Sequence, residues 1–303
     1  MRNVLIRLWR KLTTIKAFMP IIFIIRRLAA SRLFNWVLDF VEVNVCKVEY
    51  KEEKECFVKN ESKIRDFINA LKDDKSKKVY ENLWHYRMTH QRKYIRGMTD
   101  KNQYFDKDLI ALGENEVFVD CGAYKGDTIS QFIKRVPNKK FDYIYAFEPD
   151  EYNYGCLEKY ITKHKLQQKV KPVKKGTYDK EGKVGFLGNT EEGCKITESG
   201  NCAIEVDAID NVTEGKNVTY IKMDVEGAEL KSLEGAEKCI EKYHPRLAIS
   251  IYHSPEDMIN IPLYLKDKFP FYNFYVRHYT FFYADTVLYA MPNNNDALSG
   301  VKQ

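Results

Sequence analysis

The chain has 303 residues, of which 44% are hydrophobic and 30% are charged. This balance is typical of a folded protein with one large domain and an appendage, or with two smaller domains. Its 15 glycines and 9 prolines exclude a collagen-like or low-complexity chain. The seven cysteines include no C-x-x-C pair. That pattern argues against a disulfide framework or a structural zinc site and favours a reducing cytoplasm.

The positive charge is concentrated at the N-terminus. The net charge is +6, from 49 basic and 43 acidic residues. Residues 1–38 hold eight basic side chains and no acidic one, so the rest of the chain is close to neutral. A nucleic-acid-binding protein needs a basic face on its folded domain, and this distribution does not indicate one. We therefore expect no nucleic-acid partner.

Residues 1–38 also carry apolar side chains, among them Trp9, Phe18 and the run 21–25. The longest uncharged window is 17–25 and contains Pro20, whereas a membrane-spanning helix needs roughly 20 apolar residues. A signal peptide would need a longer apolar run and a small-residue cleavage site. Two interpretations stay open: a helical appendage packed on the domain, or an interfacial helix on an anionic membrane. We expect a cytoplasmic protein, either free or peripheral at the inner membrane surface.

The rest of the chain divides into a helical part and an alternating part. Apolar residues three and four positions apart over 60–98 predict amphipathic helices with a break near 73–76. We expect an N-terminal helical region over residues 1–100 and a second domain over residues 101–303. In the second domain, strands are predicted at 117–120, 143–147, 170–173, 218–223 and 247–252, with a strand-rich excursion over 184–206. The predicted helices are 128–136, 153–164, 228–243 and 256–268.

Strands separated by helices of this length predict the α/β class. The expected architecture is a Rossmann-like, doubly wound and mostly parallel sheet that binds ligands at the carboxyl ends of its strands. Two last strands, 273–277 and 286–289, are separated by about eight residues, whereas a parallel crossover takes about a dozen or more. The sheet should therefore end in an antiparallel strand pair.

The first segment that carries chemistry is DCGAYKGDT at 120–128. Asp120 ends a strand, Gly122 lets the backbone approach a ligand closely, and Gly126 allows close entry to the next helix. A dinucleotide needs G-x-G-x-x-G, because its pyrophosphate lies against bare backbone at a helix N-terminus. Here the spacing is G-x-x-x-G with Tyr124 inside, which suits a ligand without a pyrophosphate.

Two further segments place acidic side chains at neighbouring strand ends. Glu148 follows the second strand, 26 residues after Gly122, where a carboxylate can accept hydrogen bonds from both hydroxyls of a ribose. The segment IKMDVEGAE at 221–229 puts Asp224 and Glu226 at the carboxyl edge of the fourth strand. The sequence thus indicates a nucleoside site beside an acidic site.

Taken together, the segments DCGAYKGDT, FEP and IKMDVEGAE closely resemble the FkbM-type family of S-adenosylmethionine-dependent methyltransferases, over about residues 103–291. The resemblance implies S-adenosyl-L-methionine as cofactor and methyl transfer to a hydroxyl of a sugar, glycan or secondary metabolite. It implies that Asp120 and Gly122 line the methionine and adenosine pocket, that Glu148 binds the ribose, and that 224–227 border the methyl site. Tyr124 and Gly126 belong to the cofactor loop, although many members carry another residue in place of Tyr124.

A hydroxyl acceptor must also lose its proton, which calls for a base. His253, at the end of the fifth strand, is the first candidate, with Asp224 as its orienting partner or as an alternative base. No cluster shows metal-ligand spacing, so we expect no metal, with magnesium on Asp224 as the open alternative.

Two other classes of function stay open. A nicotinamide oxidoreductase is disfavoured by the glycine spacing and by the antiparallel end of the sheet. A non-catalytic nucleoside-binding protein docked at a membrane is disfavoured by the complete set of acids. The sequence identifies neither the acceptor nor the oligomeric state.

Overall fold

The computed structural model describes residues 50–187, 195–196, 202–280 and 283–293. Residues 1–38, for which two interpretations were left open, lie outside the described residues. Across the described ranges, no helix is both long enough and apolar enough to span a bilayer.

Helices and strands alternate along the described chain. The α-helices are α1 Tyr50–Lys59, α2 Glu61–Ala70, α3 Asp74–Thr89, α4 Asp127–Arg135, α5 Glu151–Lys163, α6 Ile209–Val212, α7 Glu229–Glu234, α8 Glu237–Tyr243 and α9 Pro255–Lys268. The strands are β1 Val117–Cys121, β2 Tyr143–Phe147, β3 Val170–Val173, β4 Gly176–Thr177, β5 Gly182–Leu187, β6 Lys195–Ile196, β7 Cys202–Asp207, β8 Tyr220–Met223, β9 Arg246–Ser250, β10 Tyr272–His278 and β11 Thr286–Pro292.

A seven-stranded sheet in the order β10-β11-β9-β8-β1-β2-β3 forms the centre of the fold. Strand β11 pairs antiparallel with both β10 and β9, and the other neighbouring pairs are parallel. The prediction of a mostly parallel α/β sheet that ends in an antiparallel strand pair is confirmed. Because β1, β2, β8 and β9 run side by side in the same direction, the loops after these four strands meet at one edge of the sheet.

The two faces of the sheet bury separate hydrophobic cores, as the alternation of side chains along a strand requires. Val119 and Cys121 of β1 belong to one core, and Phe118 between them belongs to the other. On the Phe118 side, its ring stacks on Phe132 of α4 with centroids 4.6 Å apart and on Tyr220 of β8 at 5.2 Å. These contacts fix α4, and with it the loop that leads into α4 from β1.

The N-terminal helical region shares the first of these cores, to which it contributes Phe67 and Tyr80. It also bonds to the backbone of β10. Lys72 N–H donates to Phe274 O at 3.1 Å, and the N–H of Val276 donates to the Ser76 hydroxyl at 2.9 Å. Helices α2 and α3 are therefore fixed against both the face and the edge of the sheet.

Two features differ in detail from the sequence predictions. The single helix expected over 228–243 is two helices, α7 and α8, that meet at Gly235. A Cβ atom on Gly235 would lie 1.9 Å from the carbonyl oxygen of Tyr178, and Gly235 O accepts a hydrogen bond from Asp210 N–H at 2.9 Å. The helix is interrupted where the chain from the second sheet passes close to it. That second sheet has the order β4-β7-β5-β6. It begins before the predicted strand-rich excursion over 184–206, because β4 is Gly176–Thr177 and β5 starts at Gly182.

Candidate active site

The loop between β1 and α4 lies directly against the chain that leaves β8. Gly122 has φ +80°, and a Cβ atom there would lie 2.1 Å from the carbonyl oxygen of Asp224. The two segments are also hydrogen bonded, because Asp224 N–H donates to Cys121 O at 3.1 Å. Glycine at 122 is thus needed both for its backbone conformation and for this close approach. Gly126 ends the loop at the N-cap of α4.

Glu148 follows β2 and is held by the backbone on both of its oxygens. Tyr124 N–H donates to Oε2 at 2.8 Å, and Asp150 N–H donates to Oε1 at 3.0 Å. The side chain is 6% exposed. Burial raises the pKa of Glu148 to about 7, against the opposing effect of the two N–H donors. Glu148 and the loop residue Tyr124 therefore form one bonded unit, with the Tyr124 side chain exposed.

A buried ion pair lies beneath the same loop. The ammonium of Lys222, in β8, lies 3.1 Å from Asp120 Oδ1 and donates to the carbonyl oxygens of Cys121 and Gly122 at 3.0 and 2.8 Å. Burial raises the pKa of the Asp120 carboxyl to about 6, although Lys222 opposes this shift. Asp120 has no exposed surface. Lys222 thus ties the carboxylate to the backbone of the glycine loop.

Asp224, just after β8, is bonded by two tyrosines. The hydroxyl of Tyr104 donates to Asp224 Oδ2 at 2.9 Å, and the hydroxyl of Tyr252 donates to Oδ1 at 2.9 Å. Both tyrosines are buried, whereas the Asp224 side chain is 25% exposed. The carboxylate is therefore fixed from the protein side and open on another side.

His253 lies among three carboxylates. Its Nδ1 is 3.1 Å from Glu229 Oε1, and its Nε2 is 3.4 Å from Asp224 Oδ1 and 3.6 Å from Glu226 Oε2. Burial disfavours the charged imidazole, but the neighbouring charges, led by Glu229, outweigh burial and raise the pKa of His253 to about 10. Glu229 is itself fixed, because it accepts hydrogen bonds from the N–H groups of Val225 and Gly227 at 2.8 and 3.0 Å. At neutral pH His253 is thus an imidazolium that holds the acidic groups together.

Comparison with known proteins gives a family for this arrangement. The profile of the methyltransferase FkbM domain matches residues 120–283, which include the glycine loop, Glu148, Asp224 and His253. The chain belongs to the FkbM methyltransferase family. No curated protein sequence matches this FkbM family member.

Solved structures include a second FkbM protein. The crystal structure of methyltransferase FkbM from Methylobacillus flagellatus KT is similar at a TM-score of 0.68 and 27% identity, covering 77% of this chain and 59% of that chain. The present FkbM chain thus spans about 59% of the length of that relative.

Two further structures are more distant. An rRNA methylase from Streptococcus thermophilus has a TM-score of 0.40 and 14% identity, over 60% of this chain and 89% of that one. A SAM-dependent methyltransferase from Aquifex aeolicus has a TM-score of 0.37 and 17% identity, over 60% and 85%. At these TM-scores neither structure supports an inference about the present FkbM protein.

The structure of the present chain brings the residues singled out in the sequence into two adjoining groups. Glu148, at the end of β2, is bonded to Tyr124 in the loop after β1, and Asp224, Glu226 and His253 follow β8 and β9. Sequence reasoning missed three residues that contact the second group, namely Tyr104, Glu229 and Tyr252. It also missed Lys222, which contacts Asp120 and the glycine loop. Lys222 gave a signal, since a lysine inside an apolar strand must find a buried partner. Tyr104 gave none.

One set of groups in this FkbM protein could also hold a metal ion. Ligand atoms of Asp224, Glu229 and His253 all lie within 4.8 Å of one another. In the described structure these atoms are engaged in the His253 ion pairs and in the backbone hydrogen bonds to Glu229. The expectation of no metal stays a prediction.

Proposed function

We propose that the protein is an S-adenosylmethionine-dependent methyltransferase that methylates a hydroxyl of a sugar, glycan or secondary metabolite. The observation that carries this proposal is the pair of adjoining acidic groups: the backbone-fixed Glu148 at the end of β2, and Asp224 with its neighbours at the end of β8. Membership of the FkbM family supports it. The proposal includes no nucleic-acid partner and a cytoplasmic location.

The Glu148 carboxylate fits the ribose of the cofactor as a hydrogen-bond acceptor. Each of its oxygens accepts one backbone N–H, and a carboxylate oxygen has a second lone-pair site for a hydroxyl. Gly122 lies beside this group without a side chain in the way, so a ligand can lie against bare backbone. Gly126 and Tyr124 belong to the same loop. Asp120 is fully buried, and we assign it an indirect role, in which it holds Lys222 against the carbonyls of the loop.

The negative charge around Asp224 and His253 suits the positively charged sulfonium of the cofactor. Three carboxylates, those of Asp224, Glu226 and Glu229, surround the single imidazolium of His253. The group therefore keeps an excess of negative charge in a partly buried site, where the effective dielectric is below that of water and a cation is bound more strongly. Asp224 and Glu226 are the two members of this group with substantial exposure, and so the two that a bound cation would meet.

When bound, S-adenosylmethionine supplies a methyl carbon whose bond to sulfur breaks, with the electron pair leaving on sulfur, as the acceptor oxygen bonds to that carbon. The protein's part is alignment of the acceptor and removal of its proton. The raised pKa of His253 favours Asp224 as the proton acceptor, because an imidazolium has no free lone pair. A carboxylate is basic enough for this role, since the hydroxyl becomes strongly acidic once its oxygen begins to bond to carbon.

Calorimetric titration with S-adenosylmethionine and with NAD tests the cofactor. We expect binding of the first and none of the second; the reverse would support an oxidoreductase and contradict our proposal. A screen of neutral glycans, sugar nucleotides and lipid-linked glycans, with methyl-labelled cofactor, then tests the reaction. Transfer of label to a hydroxyl would exclude a non-catalytic nucleoside-binding protein, whereas cofactor binding without transfer to any acceptor would favour one.

A further inference from the structure

We propose that Tyr104 and Tyr252 are positioning residues that fix the Asp224 carboxylate for proton transfer. This inference rests on the proposed function. Tyr104 lies before residues 120–283, which the FkbM domain matches, so the inference extends the working site of the protein into the segment that precedes the family domain.

The two hydroxyls act on opposite oxygens of one carboxylate. Tyr252 donates to Oδ1 and Tyr104 donates to Oδ2, each at 2.9 Å. Rotation of the Asp224 side chain would break both bonds, so the plane of the carboxylate is set. The Asp224 side chain is also 25% exposed, and an acceptor hydroxyl would approach the fixed carboxylate from that exposed side.

Tyr104 is itself held in an unusual conformation. Its φ is +65°, a region that is rare for bulky residues and that persists only where the surrounding structure enforces it. The Tyr220 hydroxyl donates to Tyr104 O, Gln103 Nε2 donates to the Tyr104 hydroxyl at 3.0 Å, and the Lys222 ammonium lies 5.2 Å from the ring centroid. Tyr104, whose hydroxyl donates the hydrogen bond to Asp224 Oδ2, is therefore held rigidly.

Tyr252 reaches Asp224 from the other side. It follows β9 directly before His253, and the two rings lie with centroids 4.2 Å apart. The side chain is buried, with 4% exposure. The same strand end thus supplies both a phenol and an imidazolium to the Asp224 group.

The chemistry of a buried phenol suits a fixed donor. Burial, followed by the nearby Asp224 charge, raises the pKa of Tyr104 well above its usual value. The hydroxyl therefore keeps its proton and donates across the working pH range. Hydrogen bonds that hold a reacting group in its productive orientation remove part of the entropy cost of reaction.

The substitutions Tyr104→Phe and Tyr252→Phe, in the full chain, test this proposal. Each removes one hydroxyl and keeps the ring in place. The matched control is Tyr264→Phe, which also deletes a phenol bonded to a carboxylate, since the Tyr264 hydroxyl donates to Glu237 Oε1 at 2.6 Å outside the site. Thermal unfolding identifies any variant that fails to fold, and the second tyrosine keeps the test available in that case.

The first measurement needs no acceptor. Aspartate labelled with 13C at the side-chain carboxyl, assigned with Asp224→Asn, reports the titration of Asp224 by NMR. Loss of a donor to the charged carboxylate should move this titration to higher pH by about one unit in each site variant. The Tyr264→Phe control should leave it unchanged.

The second measurement is turnover with an acceptor from the screen. We expect kcat to fall roughly 10- to 100-fold in the site variants, with the KM for S-adenosylmethionine changed by less than about twofold. If Tyr104→Phe and Tyr252→Phe give the same Asp224 titration and the same kcat as Tyr264→Phe, the inference about the tyrosines is overturned and the proposed function is not. A wild-type protein that binds no S-adenosylmethionine would instead overturn the proposed function, and with it the role of the tyrosines.

Discussion

Glu148 gives the sharpest single-residue test of the proposed cofactor site. Its two oxygens both accept backbone N–H groups, so in Glu148→Gln the amide nitrogen must face one of these donors. Charge-assisted hydrogen bonds to the ribose would also be lost. We expect the affinity for S-adenosylmethionine to fall at least about tenfold, measured by calorimetry. The control is Glu158→Gln on the exposed side of α5, and unchanged affinity in a folded Glu148→Gln protein would contradict the ribose assignment.

The same residue predicts a pH dependence of cofactor affinity. Because burial raises the pKa of Glu148 to about 7, the carboxyl gains a proton as the pH falls through that value and becomes a poorer acceptor. When the pH is lowered from about 8 to about 6, the affinity of the wild-type protein for S-adenosylmethionine should therefore fall, whereas the affinity of Glu148→Gln should not. The ratio of the two affinities removes the titration of the ligand itself. A ratio that stays constant with pH would contradict the raised pKa.

His253 predicts a pH dependence of stability. Its pKa is raised above the unfolded value of 6.5 to about 10, so its contribution is complete below pH 6.5 and is lost as the pH rises through about 10. Denaturant unfolding should show wild type and His253→Gln converging between pH 6.5 and 10. The exposed His164→Gln is the control, and parallel curves would count against an imidazolium at 253.

At residue scale the sequence could predict the side chains that stand at strand ends and the proximity of His253 to Asp224, but not their other partners. Asp224, Glu226 and His253 each follow a recognisable strand, and parallel strands bring such positions to one edge. Tyr104 lies in an irregular segment, and its contact with Asp224 depends on a left-handed backbone that no periodicity indicates. The protonation of His253 likewise depends on Glu229, which only the turn at Gly227 brings to Nδ1.

At the scale of elements, the contact between the β1–α4 loop and the end of β8 can be tested through Gly122. A Cβ atom there would collide with Asp224 O and would be strained at φ +80°. We expect Gly122→Ala to lower the free energy of unfolding by roughly 2 to 4 kcal/mol and to abolish cofactor binding.

The matched control for this substitution is Gly155→Ala in α5, where no atom lies within 4 Å of the added carbon and φ is not positive. It should instead stabilise the protein by about 0.5 to 1 kcal/mol. Chemical denaturation and calorimetry measure both variants. Equal effects of the two substitutions would argue against close packing of the loop on Asp224.

Elements with a strong local pattern matched the prediction closely. Strands Tyr143–Phe147 and Val170–Val173 have the predicted bounds. The first is a continuous apolar run between polar residues, which leaves little choice for its ends. The predicted helix at 228–243 was wrong in one respect, since Gly235 interrupts it. The cause is the backbone at Tyr178, which is remote in sequence. Local patterns therefore define elements, and contacts between distant segments decide where they break.

At the scale of the whole molecule, a prediction can be made for residues 1–38, which lie outside the described structure. Basic and apolar side chains are interleaved there, so an interfacial helix should bind anionic vesicles less tightly as salt increases. Deleting these residues should then abolish vesicle binding and spare cofactor affinity. Sedimentation with anionic and neutral vesicles measures this. Aggregation of the shortened chain, without any lipid binding by the intact one, would favour packing of the segment on the domain.

The bonds between the N-terminal helical region and β10 also bear on self-association. An exposed edge strand is a template on which another chain can add a strand. Along the outer side of β10, Phe274 O, Val276 N–H and His278 O are bonded to Lys72, Ser76 and Asp100 of the same chain. At the opposite edge, β3 contains Pro172, which has no N–H to offer. These bonds occupy the outward groups of β10 within the same chain, and Pro172 removes one donor from the other edge, so both edges of the sheet are poor templates for strand addition by another molecule.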